Sequence, residues 1–324
     1  MVTYSPVTPP DLRIDEDRLR AALATATPGA ANLFAYPAQS NFSGVQHPLE
    51  WIAEAQSLGW DVLLDSATFA PTNRLDLRRW NPGYIPLSFY KMFGYPTDVG
   101  ALIARKAALE KLHRPWFAGG TITISSVQGD GYYLAEGQTA FEDGTINYLT
   151  LPAVEIGLKH LAAVGVETIH ERVICLTGWL LDQLTALRRS NGQPLVRVYG
   201  PTTTKGRGGT ITVNFVDPAG KVIDHRVVED AASRVNISLR TGCFCNPGVG
   251  ENAFGSTATE LKDCFQSEDR MTFEQFIVAM SQKDVEAVGA VRVSLGVACN
   301  FADIYRFMAF AATLLDVLAE KHAS

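Results

Sequence analysis

Along the 324-residue chain, apolar positions fall into short unbroken runs that alternate with helical stripes. NLFAYPAQSNFSG (32–44) predicts a buried strand that gives way to a polar loop. HPLEWIAEAQSLGW (47–60) carries its apolar residues at helical spacing and predicts a helix stopped by Gly59. DVLLDSATFAP (61–71) predicts a strand ending at Asp65, and YIPLSFYKMFGYP (84–96) a strand running into a loop that carries Lys91. VGALIARKAAL (99–109) predicts one more strand and a turn. Strands alternating with helices build a largely parallel sheet. In such sheets the ligand crevice lies beyond the carboxyl ends of the strands. Asn41, Asp65 and Lys91 each follow an apolar strand, so all three are expected to line one crevice.

Before this region, residues 1–12 are proline-rich and expected to be irregular, and residues 15–26 predict a short helix. After it, LTLPAVEIGLKHLAAVG and ETIHERVICLTGWLLDQLTALRRS predict two long helices bridging to a second domain. RVYGP, GGTITVNFVD and VRVSLGVACN read as strands, and VVEDAASRVNISLRTG as a helix followed by a strand. FADIYRFMAFAATLLDVLAEKHA predicts a closing amphipathic helix capped by Asn300. The expected organisation is a large α/β domain over residues 1–160, then bridging helices and a smaller α+β domain over residues 161–324.

Composition narrows the function. Net charge is −6, and no block of lysine or arginine marks a nucleic-acid or anionic-membrane partner. No apolar run reaches the roughly 18–20 residues of a transmembrane helix. The opening MVTYSPVTPPDLRIDEDRLR lacks the basic-then-apolar pattern of a signal peptide. Cys175, Cys243, Cys245, Cys264 and Cys299 are odd in number and widely spread, which predicts reduced thiols and a cytoplasmic protein. No CxxC pair is present, and no metal site is expected.

The candidate chemistry starts at Lys91 in SFYKMFGYPTDVGAL. A lysine amine near pKa ~10.4 is protonated and a poor nucleophile. Burial and a cationic neighbour lower that pKa and let the amine bond a carbonyl. Pyridoxal 5'-phosphate asks of a protein a lysine, a carboxylate for its pyridine nitrogen, phosphate donors and a wall against the ring. Asp65 is the candidate carboxylate, and the Ser88 hydroxyl a candidate phosphate donor. RTGCFCNPG (240–248) adds a thiol in a loop of Gly242, Asn246, Pro247 and Gly248, five residues after Arg240. If this segment is extended, Cys243 and Cys245 share a face, so spacing leaves both open as nucleophile. Arg292 interrupts the apolar strand VRVSLG, and Arg240 and Arg292 offer the planar fork that suits a carboxylate.

SNFSG, LLDSATFAP, SFYKMFGYPTDVGAL, FEDGTINY, RTGCFCNPG and VRVSLGVACNFADIYRF occur in this order from residue 40 onward. As a set they resemble the class V aminotransferase family of pyridoxal phosphate enzymes. Within it the likeness is to the cysteine desulfurases and the molybdenum cofactor sulfurase-like proteins. The resemblance implies fold type I, with a mainly parallel large domain and a smaller C-terminal α+β domain. It implies Lys91 as the lysine bonded to the cofactor and Asp65 as the partner of the pyridine nitrogen. Ser88 and Tyr90 are placed near the phosphate, and Asn41 near the substrate and the ring oxygen. Thr68 stands where desulfurases often carry a glutamine, and Tyr90 where many carry a histidine. Thr145 would reach the phosphate of the other subunit in a homodimer. Cys245 aligns with the desulfurase nucleophile, and Arg292, supported by Arg240, with the site for the substrate carboxylate. The implied reaction moves sulfur from L-cysteine, through a cysteine persulfide, to an acceptor protein or cofactor. Another aminotransferase, lyase or epimerase of the family, or a non-catalytic remnant, is the alternative. The family's upstream phosphate loop and stacking histidine have no counterpart in the 40 residues before Asn41. TATPGAAN lacks the strand–turn–helix context, and His47 follows Asn41. The expectation is therefore a chain shortened at its start.

Overall fold

The computed structural model describes residues 2–265, 271–283, 285 and 287–315. Two compact units emerge. One gathers the segment up to Ala22, Gln39–His47 and the chain from Glu167 onward, and the other holds Leu23–Ala38 and Pro48–Val166.

The second unit is built on a four-stranded sheet of Leu33–Pro37 (β1), Asp61–Asp65 (β2), Tyr84–Ser88 (β3) and Gly100–Ala104 (β4), in that order. β1, β2 and β3 run parallel, while β4 lies antiparallel along β3. The strand expected to be buried, β1, is an edge strand in which only Tyr36 is buried. Tyr36 faces the helix Trp51–Ser57 (α1), its ring 5.7 Å from that of Trp51, and its hydroxyl donates to the Pro48 carbonyl. Trp51, Ile52 and Ala55 form the buried stripe of α1, and Gly59, at φ +86°, ends the turn that follows.

The lysine segment is not a loop. Phe89–Phe93 forms a one-turn helix (α2) directly after β3, closed by Gly94 at φ 85°, whose N–H donates to the Tyr90 carbonyl. An aromatic run with a left-handed glycine at its end stops after one turn. Phe93 packs on Leu151–Val164 (α3) at Gly157, where a Cβ would lie 2.4 Å from the Phe93 ring.

In the first unit, Val166–Ala186 (α4) presents Ile169, Val173, Leu176, Leu180, Leu181 and Leu184 as a buried stripe. The sheet comprises Val196–Tyr199 (β5), Thr210–Phe215 (β6), Arg240–Gly242 (β7) and Ala290–Ser294 (β8), ordered β7-β8-β6-β5 and antiparallel throughout. β6 is buried at every residue. Its entry is tight, since a Cβ on Gly209 would lie 2.6 Å from Val173. Helices His225–Arg234 (α5), Pro247–Phe254 (α6) and Phe301–Thr313 (α7) belong to the same unit, with two further helices, Ala258–Cys264 and Phe273–Ser281, between α6 and β8. α7 begins at the expected cap. Asn300 accepts from the N–H groups of Ala302 and Asp303, and Asp303 accepts from the Asn300 N–H. The remainder of the helix expected there, residues 316–323, lies outside the described residues.

Two stability tests follow. Helix propensity alone would favour Gly157→Ala by about 1 kcal/mol. The Phe93 ring leaves no room for the new methyl, so the variant is expected to lose about 1–3 kcal/mol in urea unfolding. The second concerns His225, buried at the start of α5 with its ring against Gly289. Burial pushes its pKa below the ordinary histidine value, outweighing the pull of Asp224. The unfolded chain therefore binds the proton more readily. This stabilisation is full above the unfolded pKa of about 6.5 and is lost as pH falls through the lower folded value. Unfolding free energy is expected to decline on acidification below neutrality, with a shallower slope in His225→Phe.

Candidate active site

Asp65, Thr68, Ser88, Tyr90, Lys91 and Thr145 belong to the second unit, and Asn41, Arg240, Cys245 and Arg292 to the first.

In the second unit the parallel pairing of β2 and β3 brings their carboxyl ends to one edge, where the Ser66 N–H donates to the Pro86 carbonyl. Asp65 closes β2, with its Oδ1 accepting from the Ala67 N–H. That bond turns the chain into the tight SATFAP bend, on which Thr68 is half-buried. Ser88 closes β3 and stands at the start of α2, with no side-chain bond to the helix. Lys91 follows three residues later, its amine 5.9 Å from the centre of the Tyr90 ring. Among the described residues, Asp65 Oδ2, the Ser88 hydroxyl and the Lys91 amine have no hydrogen-bonding partner. A carboxylate and a hydroxyl at neighbouring strand ends, and an amine on the helical turn that follows, are the group types that the pyridine nitrogen, phosphate and aldehyde of pyridoxal phosphate ask for. The burial expected of Lys91 is not found: both it and Tyr90 are exposed, because α2 stands at the rim of the sheet. Thr145 lies in an exposed bend flanked by the exposed apolar residues Ile146, Tyr148 and Leu149.

In the first unit, Arg240 and Arg292 are direct cross-strand partners on β7 and β8, and Arg292 is also opposite Thr212 on β6. Directly opposed residues share a face, and opposed like charges repel, so this row suits an anion. The same row holds the SNFSG segment. Arg292 donates to the Asn41 carbonyl at 3.0 Å and Thr212 to that of Phe42 at 2.5 Å. Arg207, buried to 1% exposure, donates to the Ser43 carbonyl and to those of Pro201, Gly208 and Thr210. Burial, and then the charge of Arg13, pushes the Arg207 pKa down to about 10, so it remains a cation at neutral pH. Phe42 anchors a core cluster with Leu12, Tyr199, Phe244 and Phe254.

The cysteine segment is not extended. Phe244 and Cys245 both have φ 58°, so Cys243 and Cys245 do not share a face through strand alternation. A left-handed non-glycine residue costs on the order of 1–3 kcal/mol and needs its surroundings to hold it. Phe244 is the buried anchor, and the cysteines on either side are exposed. The Arg292 guanidinium lies 4.9 Å from the centre of the Phe244 ring. The Asn41 side chain donates to the Phe244 carbonyl and accepts from Asn246 Nδ2. Sequence reasoning missed Asn246, Thr212 and Arg207. Asn246 reads only as one polar residue of the loop that carries the thiol, and all three have partners that only the fold reveals.

The family model for class-V aminotransferases matches residues 2–307. Molybdenum cofactor sulfurase of Homo sapiens is 34% identical over 325 residues, covering 95% of this chain and 36% of its own length. That of Solanum lycopersicum is 33% identical over 296 residues, covering 86% and 35%. The chain thus spans about a third of the length of these curated relatives. In fold it is similar to a cysteine desulfurase from Thermococcus onnurineus NA1, with a TM-score of 0.74 at 21% identity over 98% of this chain and 66% of that one. The cysteine desulfurase CsdA from Escherichia coli gives a TM-score of 0.73 at 17% identity over the same shares. From the extent of the family match and the identity to these sulfurases, the chain belongs to the class-V aminotransferase family.

Proposed function

We propose that this chain carries the lysine and cysteine machinery of a pyridoxal phosphate-dependent sulfurtransferase that draws sulfur from L-cysteine. One observation carries the reading. The Arg292 guanidinium stands against both the Asn41 carbonyl and the ring of Phe244, the residue before Cys245, so a carboxylate-binding fork and a thiol belong to one cluster.

When bound, pyridoxal phosphate supplies an aldehyde for an amine and a ring that accepts electrons from the substrate α-carbon. Lys91 would hold it, with Asp65 Oδ2 at the pyridine nitrogen, Ser88 and Tyr90 toward the phosphate, and Thr68 on the ring oxygen side. Arg292, with Arg240, binds the cysteine carboxylate and orients the substrate. The Lys91 amine moves the proton at the α-carbon. The Cys245 thiolate attacks the substrate sulfur: an S–S bond forms, the carbon–sulfur bond breaks, and its electron pair stays with carbon, which takes a proton. Cysteine and the enzyme thiol thus become alanine and a persulfide without any external oxidant. An acceptor protein or cofactor then takes the outer sulfur. The exposed apolar residues around Thr145 support a homodimer, in which that threonine reaches the partner's phosphate. Among the described residues no helix is long and apolar enough to cross a membrane. The exposure of Lys91 favours the second reading, a non-catalytic member of the family.

Borohydride treatment after incubation with pyridoxal phosphate is expected to leave a pyridoxyl mass on the peptide of Lys91, absent in Lys91→Ala. An unlabelled wild-type chain would leave the non-catalytic reading. Cys245→Ser is expected to keep that label and to lose cysteine-dependent persulfide at residue 245, whereas Cys243→Ser keeps both. Leu149→Glu, a charge placed on a residue 80% exposed in the single chain, is expected to shift the protein from dimer to monomer in light scattering.

A further inference from the structure

The turn that carries Cys245 is held by two asparagine side chains. Phe244 and Cys245 stand consecutively at φ 58°, where non-glycine residues persist only when their surroundings fix them. The fixing groups are few. Asn41 Nδ2 donates to the Phe244 carbonyl at 2.5 Å, and Asn246 Nδ2 donates to Asn41 Oδ1 at 3.0 Å. Asn246 is the N-cap of α6, where an asparagine ordinarily accepts from an N–H of the first turn. Here it makes no side-chain cap bond, and its Nδ2 is directed at Asn41. Asn41 in turn engages both ends of its carboxamide with the turn, one as donor and one as acceptor. Its backbone is fixed as well, through the bond from Arg292 to its carbonyl.

We propose that Asn41 and Asn246 form a latch that sets the Phe244–Cys245 turn, which makes Asn246 a positioning residue for the Cys245 thiol. The latch places the exposed thiol just ahead of α6, with Phe244 buried as its anchor and the Asn246 N–H donating to the Cys243 carbonyl. Its purpose rests on the reading of Cys245 as the nucleophile. Its existence does not, and it is read without turnover.

The test uses the full chain without added cofactor and two mild variants. Asn246→Ser can still cap α6 but is too short to reach Asn41. Asn41→Asp can accept from Asn246 but cannot donate to the Phe244 carbonyl. Hydrogen–deuterium exchange is followed by peptide, and iodoacetamide alkylation of Cys243 and Cys245 is timed by mass spectrometry. In both variants, exchange within residues 243–250 is expected to rise about tenfold while β6 and β8 keep their protection. The ratio of Cys245 to Cys243 alkylation rates is expected to fall at least about threefold, as the turn relaxes and the thiol leaves its set position. Wild-type exchange and ratio in both variants would overturn the latch, as would a uniform loss of protection across the unit. If the latch variants behave as expected while Cys245→Ser still accumulates persulfide at another residue, the latch stands and the assignment of the nucleophile falls.

Discussion

The site of the first unit depends on the satisfaction of three consecutive carbonyls. Asn41, Phe42 and Ser43 lie in a segment with no regular structure, and Phe42 is fully buried. Buried carbonyls need donors, and this segment has no strand neighbour to provide them. Arg292, Thr212 and Arg207 each supply one. Two of the three donors are cations, so the segment's polar backbone and the unit's positive charge are arranged together. Arg207 is nearly removed from solvent and has four carbonyl partners, which suits a planar guanidinium and would not suit the point charge of a lysine. Gly44 belongs to the same constraint. It sits at φ +76° with the Thr210 carbonyl 2.3 Å from where a Cβ would stand, so the segment leaves the sheet only through glycine.

The elements were largely legible in the sequence because their signals are local. The stripe of α4, the Asn300 cap of α7 and the run of β6 are each written within about twenty residues. The termination of β2 at Asp65 was legible too. What sequence reasoning misread depended on partners elsewhere in the chain. β1 reads as buried from its apolar run, but burial depends on whether a further strand lies beside it, and β1 is at an edge. Lys91 reads as a loop residue because the one-turn helix around it is set by Gly94 and by Phe93 against Gly157. The cysteine segment reads as a loop whose conformation spacing leaves open, because a pair of left-handed non-glycine residues has no composition signal.

Chemical type and resemblance mark the candidate site residues, and their local settings differ in a way neither conveys. Asp65 and Ser88 stand at strand ends, where the backbone direction is fixed by the ladder. Lys91 is carried on a short element whose position depends on aromatic packing. Asn41 was expected to face a ligand, yet its carboxamide is spent within the protein. Asp65, Ser88, Arg240 and Arg292 thus stand on strand ladders, whereas Lys91 depends on a single helical turn.

That row has a bearing on how the protein is handled. Arg240 and Arg292 face each other across two strands, and like charges so placed repel. Any multivalent oxyanion in the buffer relieves that repulsion, whereas chloride does so weakly. Melting temperatures taken in sulfate or phosphate would then report the solvent's anion as much as the polypeptide, and a zwitterionic buffer with monovalent salt gives the truer baseline.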